Sequence, residues 1–261
     1  MRVMVTGGGG LVGRFIVAEG RARGHDVIVP AGWRLGVDLP LEGVDLLVHA
    51  AFAHVPGRYR GGEGDDPAGF VRANVDGTEA LFRRAQRDGV GRVVFLSSRA
   101  VYDGLEARVL AEEMAVAPTS LYGQVKLMGE KALAAHCPGG VSLRATGVYG
   151  PGAGHKWEAL FADYLAGRRV EPRRATEVEG ADLAAAVFLP LEGVVNLSDI
   201  LLDRQDLLAE VAALTGCGHR LPERSAEPVA VMETWRARGA GWRPGGIARL
   251  RAVLPAMIAQ A

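Results

Sequence analysis

Cysteine is nearly absent from this chain of 261 residues, which has only Cys137 and Cys217. Neither belongs to a C-x-x-C or Cys/His spacing. That excludes a disulfide scaffold or a thiolate-held metal, and reads as two buried thiols of a reducing compartment. No cluster of metal-ligating residues stands elsewhere. No apolar run nears the roughly 20 residues a membrane helix needs. Arg2 is followed at once by strand-like residues, leaving no room for a signal peptide. The 30 basic and 30 acidic residues cancel, so neither nucleic acid nor an anionic membrane is suggested as partner. Internal repeats and low-complexity linkers are missing too. What these absences leave is a cytoplasmic globular protein. Lysine is the last scarcity: Lys126, Lys131 and Lys156 are the only three among 30 basic residues.

Glycine, by contrast, is abundant at 36 residues, and 49% of the chain is hydrophobic. Short runs rich in Val and Leu recur at 2–5, 25–29, 44–51, 91–97 and 140–146. Most lack polar alternation, as strands buried on both faces of a parallel sheet do. Helix-like segments lie between them at 11–22, 70–88 and 119–136, giving a doubly wound α/β plan. Only fifteen residues, Pro30 to Val44, separate the second run from the third. A parallel crossover takes at least about 10–12 residues, so the usual third strand is expected to be missing or vestigial. From Gly150 onward the rhythm loosens, with helices expected at 157–166 and 203–214. Residues 1–150 therefore read as the main domain, and 151–261 as a small substrate lobe that is not fully independent.

The densest glycines stand in VMVTGGGGLVGRF, between the first strand and the first helix. In that context they read as a phosphate-cradling turn. Gly7 makes the tight bend, Gly10 comes against a pyrophosphate, and Gly13 lets the helix approach the sheet. The amides of Gly10, Leu11 and Val12 are expected to face phosphate oxygens, aided by the helix dipole. An acid at the end of the second strand normally takes the ribose 2′-hydroxyl. Here that place holds Ala31, with Arg34 shortly after. A guanidinium suits a 2′-phosphate, so NADP is expected over NAD, with Asp38 a candidate for the adenine amino group.

LYGQVK supplies the reactive pair. On a helix Tyr122 and Lys126 share one face. A phenol ionises near pH 10 and is a poor base at neutrality. An ammonium about 4 Å away, at an effective dielectric of about 20, favours the phenolate by roughly 4 kcal/mol. That lowers the phenol by up to about three units before desolvation opposes it. Tyr122 then becomes a general acid/base. In a chain with three lysines, chance would produce such a spacing far less than once. Ser97 or Ser98, at the carboxyl end of VVFLSS, is placed to hydrogen-bond the reacting oxygen.

Together these motifs resemble the extended short-chain dehydrogenase/reductases, in their NAD-dependent epimerase/dehydratase branch. TGGGGLVG, HAA (49–51), NVDGT (74–78), SSRAVY, YGQVK and LRATGVYGPG follow in family order. EGADLAAAV (179–187), VVNLSD (194–199) and GWRP (241–244) resemble landmarks of the substrate lobe. The resemblance implies a Rossmann-type fold and a homodimer paired through helices 70–88 and 119–136. It makes Ser98 the catalytic hydroxyl and Tyr122 the acid/base, with Lys126 binding the nicotinamide ribose. Ala50 and Ala51 would line the cofactor, Asn74 would be a structural bracket, and the backbone of Thr146 to Val148 would face the carboxamide. For the substrate it points to Arg58, Tyr59 and Arg60 in the loop after HAA, to Arg99, and to His155, Lys156 and Trp157. Family dehydratases follow the catalytic hydroxyl with an Asp-Glu pair. Here Arg99 and Ala100 stand instead, so a 4,6-dehydratase is not expected. The implied activity is an NAD(P)-dependent oxidoreductase or isomerase (epimerase) acting on a secondary alcohol or ketone of a sugar-like or small carbonyl substrate. The alternative is a non-catalytic NAD(P)-binding sensor or scaffold.

Overall fold

A computed structural model of the chain describes residues 1–55 and 61–261. It opens with β1 (Arg2–Thr6), α1 (Gly13–Ala22), β2 (Asp26–Ile28), β3 (Leu46–His49) and α2 (Pro67–Arg87). Next come β4 (Arg92–Ser98), β5 (Val109–Leu110), α3 (Leu121–His136), β6 (Val141–Ala145), β7 (Gly147–Tyr149) and α4 (Glu158–Leu165). The remainder is β8 (Arg174–Glu179), α5 (Gly180–Val187), β9 (Gly193–Leu197), β10 (Ile200–Asp203), α6 (Arg204–Thr215), β11 (Val231–Met232), α7 (Trp235–Gly239) and α8 (Gly246–Ile258).

Six parallel strands form the main sheet in the order β2-β1-β3-β4-β6-β9. Alternation along each strand feeds two cores. Val3, Val5, Leu46, Val48, Val94, Leu96, Val141 and Leu143 face α1 and α5, meeting Ile16 and Leu183. Met4, Leu47, Val93 and Phe95 face α2 and α3, meeting Leu81, Phe82 and Leu133. Fully burying one such side chain is worth about 1.5–3 kcal/mol, so the two faces together hold the sheet. Helix α2 starts cleanly: Pro67 takes its first turn and the Asp66 carboxylate accepts from the Gly69 amide at 2.8 Å.

The third strand of the full plan is absent. β2 and β3 flank β1, and residues 29–45 join them without strand or helix. The crossover still contributes to the core, since Leu41 is completely buried beside Val44 and Phe82. Arg84 on α2 ties it down, donating to Asp38 at 2.8 Å, Glu42 at 2.6 Å and Asp88 at 2.5 Å.

Past Gly150 the chain builds more than a lobe. EGADLAAAV, placed above with the substrate lobe, spans the end of β8 and all of α5, and α5 packs on the α1 face of the main sheet. VVNLSD is largely β9, the sixth strand, whose pairing covers an edge of β6 that would otherwise stand open. The lobe proper holds the sheet β10-β8-β7 and helices α4, α6 and α8 around Tyr149, Trp157, Phe161 and Leu254. No helix among the described residues is long and apolar enough to cross a membrane.

Candidate active site

The site is built along the carboxyl edge of β1, β3 and β4. At the glycine turn, side chains are missing where backbone must touch backbone. A Cβ on Gly7 would lie 2.6 Å from the Ala51 nitrogen, and one on Gly13 would lie 2.1 Å from the Gly7 oxygen. Gly7 also takes a positive φ of 70°. A Cβ on Gly9 would meet nothing within 4 Å. Helix α1 begins with no side-chain cap and no acid in its first turn, so its positive end is left for an anion. Open glycine backbone, an uncapped helix and the Ala50–Ala51 wall fit the diphosphate of a dinucleotide. One expectation needs correction. The Gly10 amide donates to the Gly7 oxygen at 2.9 Å and closes the turn, so it is used within the chain.

From this turn a continuous line leads to the reactive pair. Ala51 is followed by Phe52, whose ring meets the Tyr122 ring edge-on at 5.2 Å and lies 4.4 Å from Lys126 Nζ. The Asn74 amide brackets the same loop, accepting from the Ala53 nitrogen and donating to the Ala53 oxygen, both at 2.8 Å. His49, just below, is fully buried between Thr6 Oγ1 at 2.7 Å and Thr78 Oγ1 at 3.0 Å. Burial, then the nearby Lys126 charge, pushes its pKa down to about 3, so it is a neutral core residue.

Helix α3 delivers Tyr122 and Lys126. Its N-cap Ser120 accepts from the Gly123 amide and donates to Asp103 at 2.6 Å. A Cβ on Gly123 would lie 2.3 Å from the Ala100 oxygen. The missing side chain therefore brings the first turn of α3 against the turn that follows Ser98. Strand parity separates the two serines. Ser97 shares the α3 face with Val93 and Phe95, and its hydroxyl is taken by Glu130 at 2.5 Å. Ser98 ends the strand, where its Oγ accepts from the Ala100 amide at 3.1 Å. That bond uses a lone pair and leaves the Ser98 proton available to donate.

Lys126 lies deeper than its spacing suggests. Its Nζ donates to the Leu96 carbonyl at 2.8 Å and sits 5.9 Å from the Tyr122 ring centroid. Burial lowers Lys126 to about 7, with Glu130 working against that fall.

The other candidates take the following places. Asp38 pairs with Arg84 at 2.8 Å and is mostly exposed. Arg34 is exposed on the crossover. Thr146 donates its amide to the Leu197 oxygen at 3.1 Å, and Val148 packs against the main core. His155 uses both ring nitrogens internally, with Met257 and Trp157, and burial lowers its pKa. Trp157 stacks on Tyr149 at 4.9 Å inside the lobe core. Both side chains pack in the core of the lobe. Lys156 pairs with Glu177 at the edge of that lobe. Arg99 donates to the Ala230 oxygen at 3.1 Å. Arg58, Tyr59 and Arg60 lie outside the described residues. The sequence reading passed over Phe52 and Glu130, although each stands one step from a motif: beside HAA, and one helical turn past Lys126.

Residues 3–180 match the model of the NAD dependent epimerase/dehydratase family. A dTDP-4-dehydrorhamnose reductase of Mycobacterium tuberculosis is 26% identical over 202 residues, covering 72% of this chain and 64% of its own length. The match thus spans less than two thirds of that relative. A 3 beta-hydroxysteroid dehydrogenase/Delta 5-->4-isomerase of the same species is 28% identical over 285 residues, covering 90% of this chain and 75% of the relative. The UDP-glucose 4-epimerase of Thermus thermophilus, solved in complex with NAD, superposes with a TM-score of 0.76 at 25% identity, covering 100% of this chain and 98% of that one.

Proposed function

The chain belongs to the NAD dependent epimerase/dehydratase family, and from that premise we propose that it is an NAD(P)-dependent reductase or epimerase of a secondary alcohol or ketone. The observation that carries this reading is the close seating of α3 on the Ser98 turn through Gly123. That seating supports a site in which the Ser98 hydroxyl, the Tyr122 phenol and the Lys126 ammonium share one edge of the sheet beside the glycine turn. When bound, the nicotinamide supplies the hydride acceptor and donor.

Gly7, Gly13, Ala50, Ala51 and the start of α1 hold the diphosphate. Ser98 donates its proton to the substrate oxygen, fixing the carbinol carbon. Tyr122 takes the hydroxyl proton as the alcohol is oxidised and returns it as the ketone is reduced. Lys126 stabilises the phenolate by its charge. Arg99 and the buried Ala100 have no carboxyl group to remove water, which supports a reaction without elimination. The 2′-phosphate of NADP is assigned to Arg34, since β2 ends without an acid. Relatives that act on sugar nucleotides and on steroids leave substrates of both kinds in scope, sugar-like or small carbonyl compounds being favoured. A homodimer through α2 and α3 belongs to the same proposal, and light scattering showing only monomer would remove it.

A panel of carbonyl compounds and sugar nucleotides, read by absorbance of the reduced cofactor and by product stereochemistry, tests the reading. Net cofactor consumption identifies a reductase. Inversion without net redox change identifies an epimerase. Tyr122→Phe should keep cofactor binding and lower turnover by about 10²- to 10⁴-fold. Unchanged turnover would point instead to a sensor or scaffold.

A further inference from the structure

Beneath the Tyr122–Lys126 pair lies a buried ionic cluster that the proposed reaction does not use. Glu130 stands one turn past Lys126, so Tyr122, Lys126 and Glu130 follow at four-residue intervals on one face of α3. The Glu130 carboxylate accepts from Arg144 Nε at 2.9 Å and Nη2 at 2.7 Å, a two-pronged pair, and from Ser97 Oγ at 2.5 Å. Strand register assembles it. Ser97 pairs with Arg144 across β4 and β6, and Arg144 with Asn196 across β6 and β9. Tyr102 Oη closes the row, accepting from Arg144 Nη1 at 2.8 Å and donating to Asn196 Oδ1 at 2.9 Å. Glu130 is 6% exposed and Arg144 3%. Desolvating such ions costs several kcal/mol each, and a buried pair is weak support for stability. Its seat under the reactive turn points to another role.

Lys126 has need of such a neighbour. Its ammonium is enclosed by the Leu96 carbonyl and the rings of Phe52 and Phe95. Neutral groups alone do not offset the loss of water around a cation. Among the described residues, other ionisable groups around α3 are Tyr122 and the exposed Lys131 on the helix itself, neutral His49 from β3, Arg144 from β6, and Tyr102 and Asp103 from the turn after β4. Glu79, Arg83 and His136 interact at the far end of the helix. Glu130 is the group whose field favours the ammonium.

We propose that Glu130 is a positioning residue of the catalytic pair: clamped by Arg144 and Ser97, its carboxylate keeps the Lys126 ammonium charged and seated beside Tyr122. This rests on Tyr122 and Lys126 being the acid/base pair. Arg144 sets the strength of the effect, since it both holds Glu130 in place and partly cancels its field.

Three lysines make the idea measurable without substrate or cofactor. In protein carrying carbon-13 at lysine Cε, three resonances are followed by NMR against pH, and Lys126→Arg identifies the relevant one. In Glu130→Gln the Lys126 midpoint should fall by about one pH unit, because Arg144 is left as an uncompensated cation. In Arg144→Gln it should rise, because Glu130 is no longer neutralised. The charge-balanced double variant Glu130→Gln/Arg144→Gln should fall by less than the first, and it replaces either single variant that does not fold. Shifts of one sign in both single variants, or an unmoved midpoint in the double variant, overturn the proposal. Failure to bind any nicotinamide dinucleotide would instead overturn the functional reading while leaving these titrations unchanged.

Discussion

At the α3 end of the sheet's carboxyl edge, glycines are present because something else occupies the space. Gly123 admits the Ala100 carbonyl, Gly129 admits the Phe95 ring and Gly13 admits the Gly7 carbonyl. At the opposite end, residues 29–45 cross from β2 to β3 with other kinds of support. Added Cβ atoms on Gly32 and Gly36 would meet nothing within 4 Å, and those residues serve the chain by their positive φ values of 67° and 88°. Arg84 holds that crossover through carboxylates, two of which, Asp38 and Glu42, are mostly exposed. One end is specified by close packing and buried charge. The other is specified by turn geometry and ion pairs near solvent. The first should be intolerant of added volume and responsive to pH, the second tolerant of substitution and responsive to salt.

The sharpest way to break this contrast is to add a side chain at each end. Gly123→Ala should destabilise the protein by about 1–3 kcal/mol by overpacking, and should lower turnover as α3 backs away from Ser98. Gly32→Asn, with open space and a side chain that tolerates left-handed backbone, should shift thermal unfolding little. Equal shifts by calorimetry would erase the distinction.

The acid response follows from His49. Its folded pKa of about 3 lies below the ordinary value of 6.5, so the unfolded chain takes up the proton first. The stability it contributes is complete above about pH 6.5 and is lost as pH falls toward 3, by up to about 1.4 kcal/mol per pH unit. Denaturant midpoints measured from neutral to mildly acidic pH should show this slope, and His49→Gln should flatten it even though that variant is less stable throughout.

At the adenine end a smaller effect is expected, confined to one ligand. Arg34→Ala should weaken NADP binding about tenfold and leave NAD unchanged. Tighter NAD than NADP binding by calorimetric titration in the unmodified protein would sink the preference. Smallest of all is Arg84→Met, whose effect on thermal unfolding should shrink as salt is raised, because its partners Asp38 and Glu42 face water. A salt-independent loss would mean that the crossover is held by packing after all.

Much of the site was legible because it is local. The glycine turn, Tyr122 with Lys126, and Asn74 lie on short segments whose spacing carries the chemistry. Helix α2 and the first strands showed in their periodicity, and the missing third strand in a simple count of residues. Legibility ended where partners come from distant strands. Position alone left Ser97 and Ser98 open and the family resemblance favoured Ser98, while strand parity and Glu130 are what engage Ser97. The pairing of Asp38 with Arg84, 46 positions on, could not be read from either segment alone. His155 and Trp157 carried chemically versatile side chains, yet a small core needed their bulk. The segment after Gly150 looked like a lobe because its strands are short, and only pairing with β6 returns β9 to the main sheet.

The sequence by itself determined the glycine turn and the Tyr122–Lys126 pair proposed to move the proton, since backbone freedom and four-residue spacing are properties of neighbouring residues. Tertiary structure alone decided how deep Lys126 sits, which serine is available, and that Glu130 meets Arg144. Those outcomes depend on register between strands and on burial, and the energies of buried charges are set by surroundings that no single segment contains.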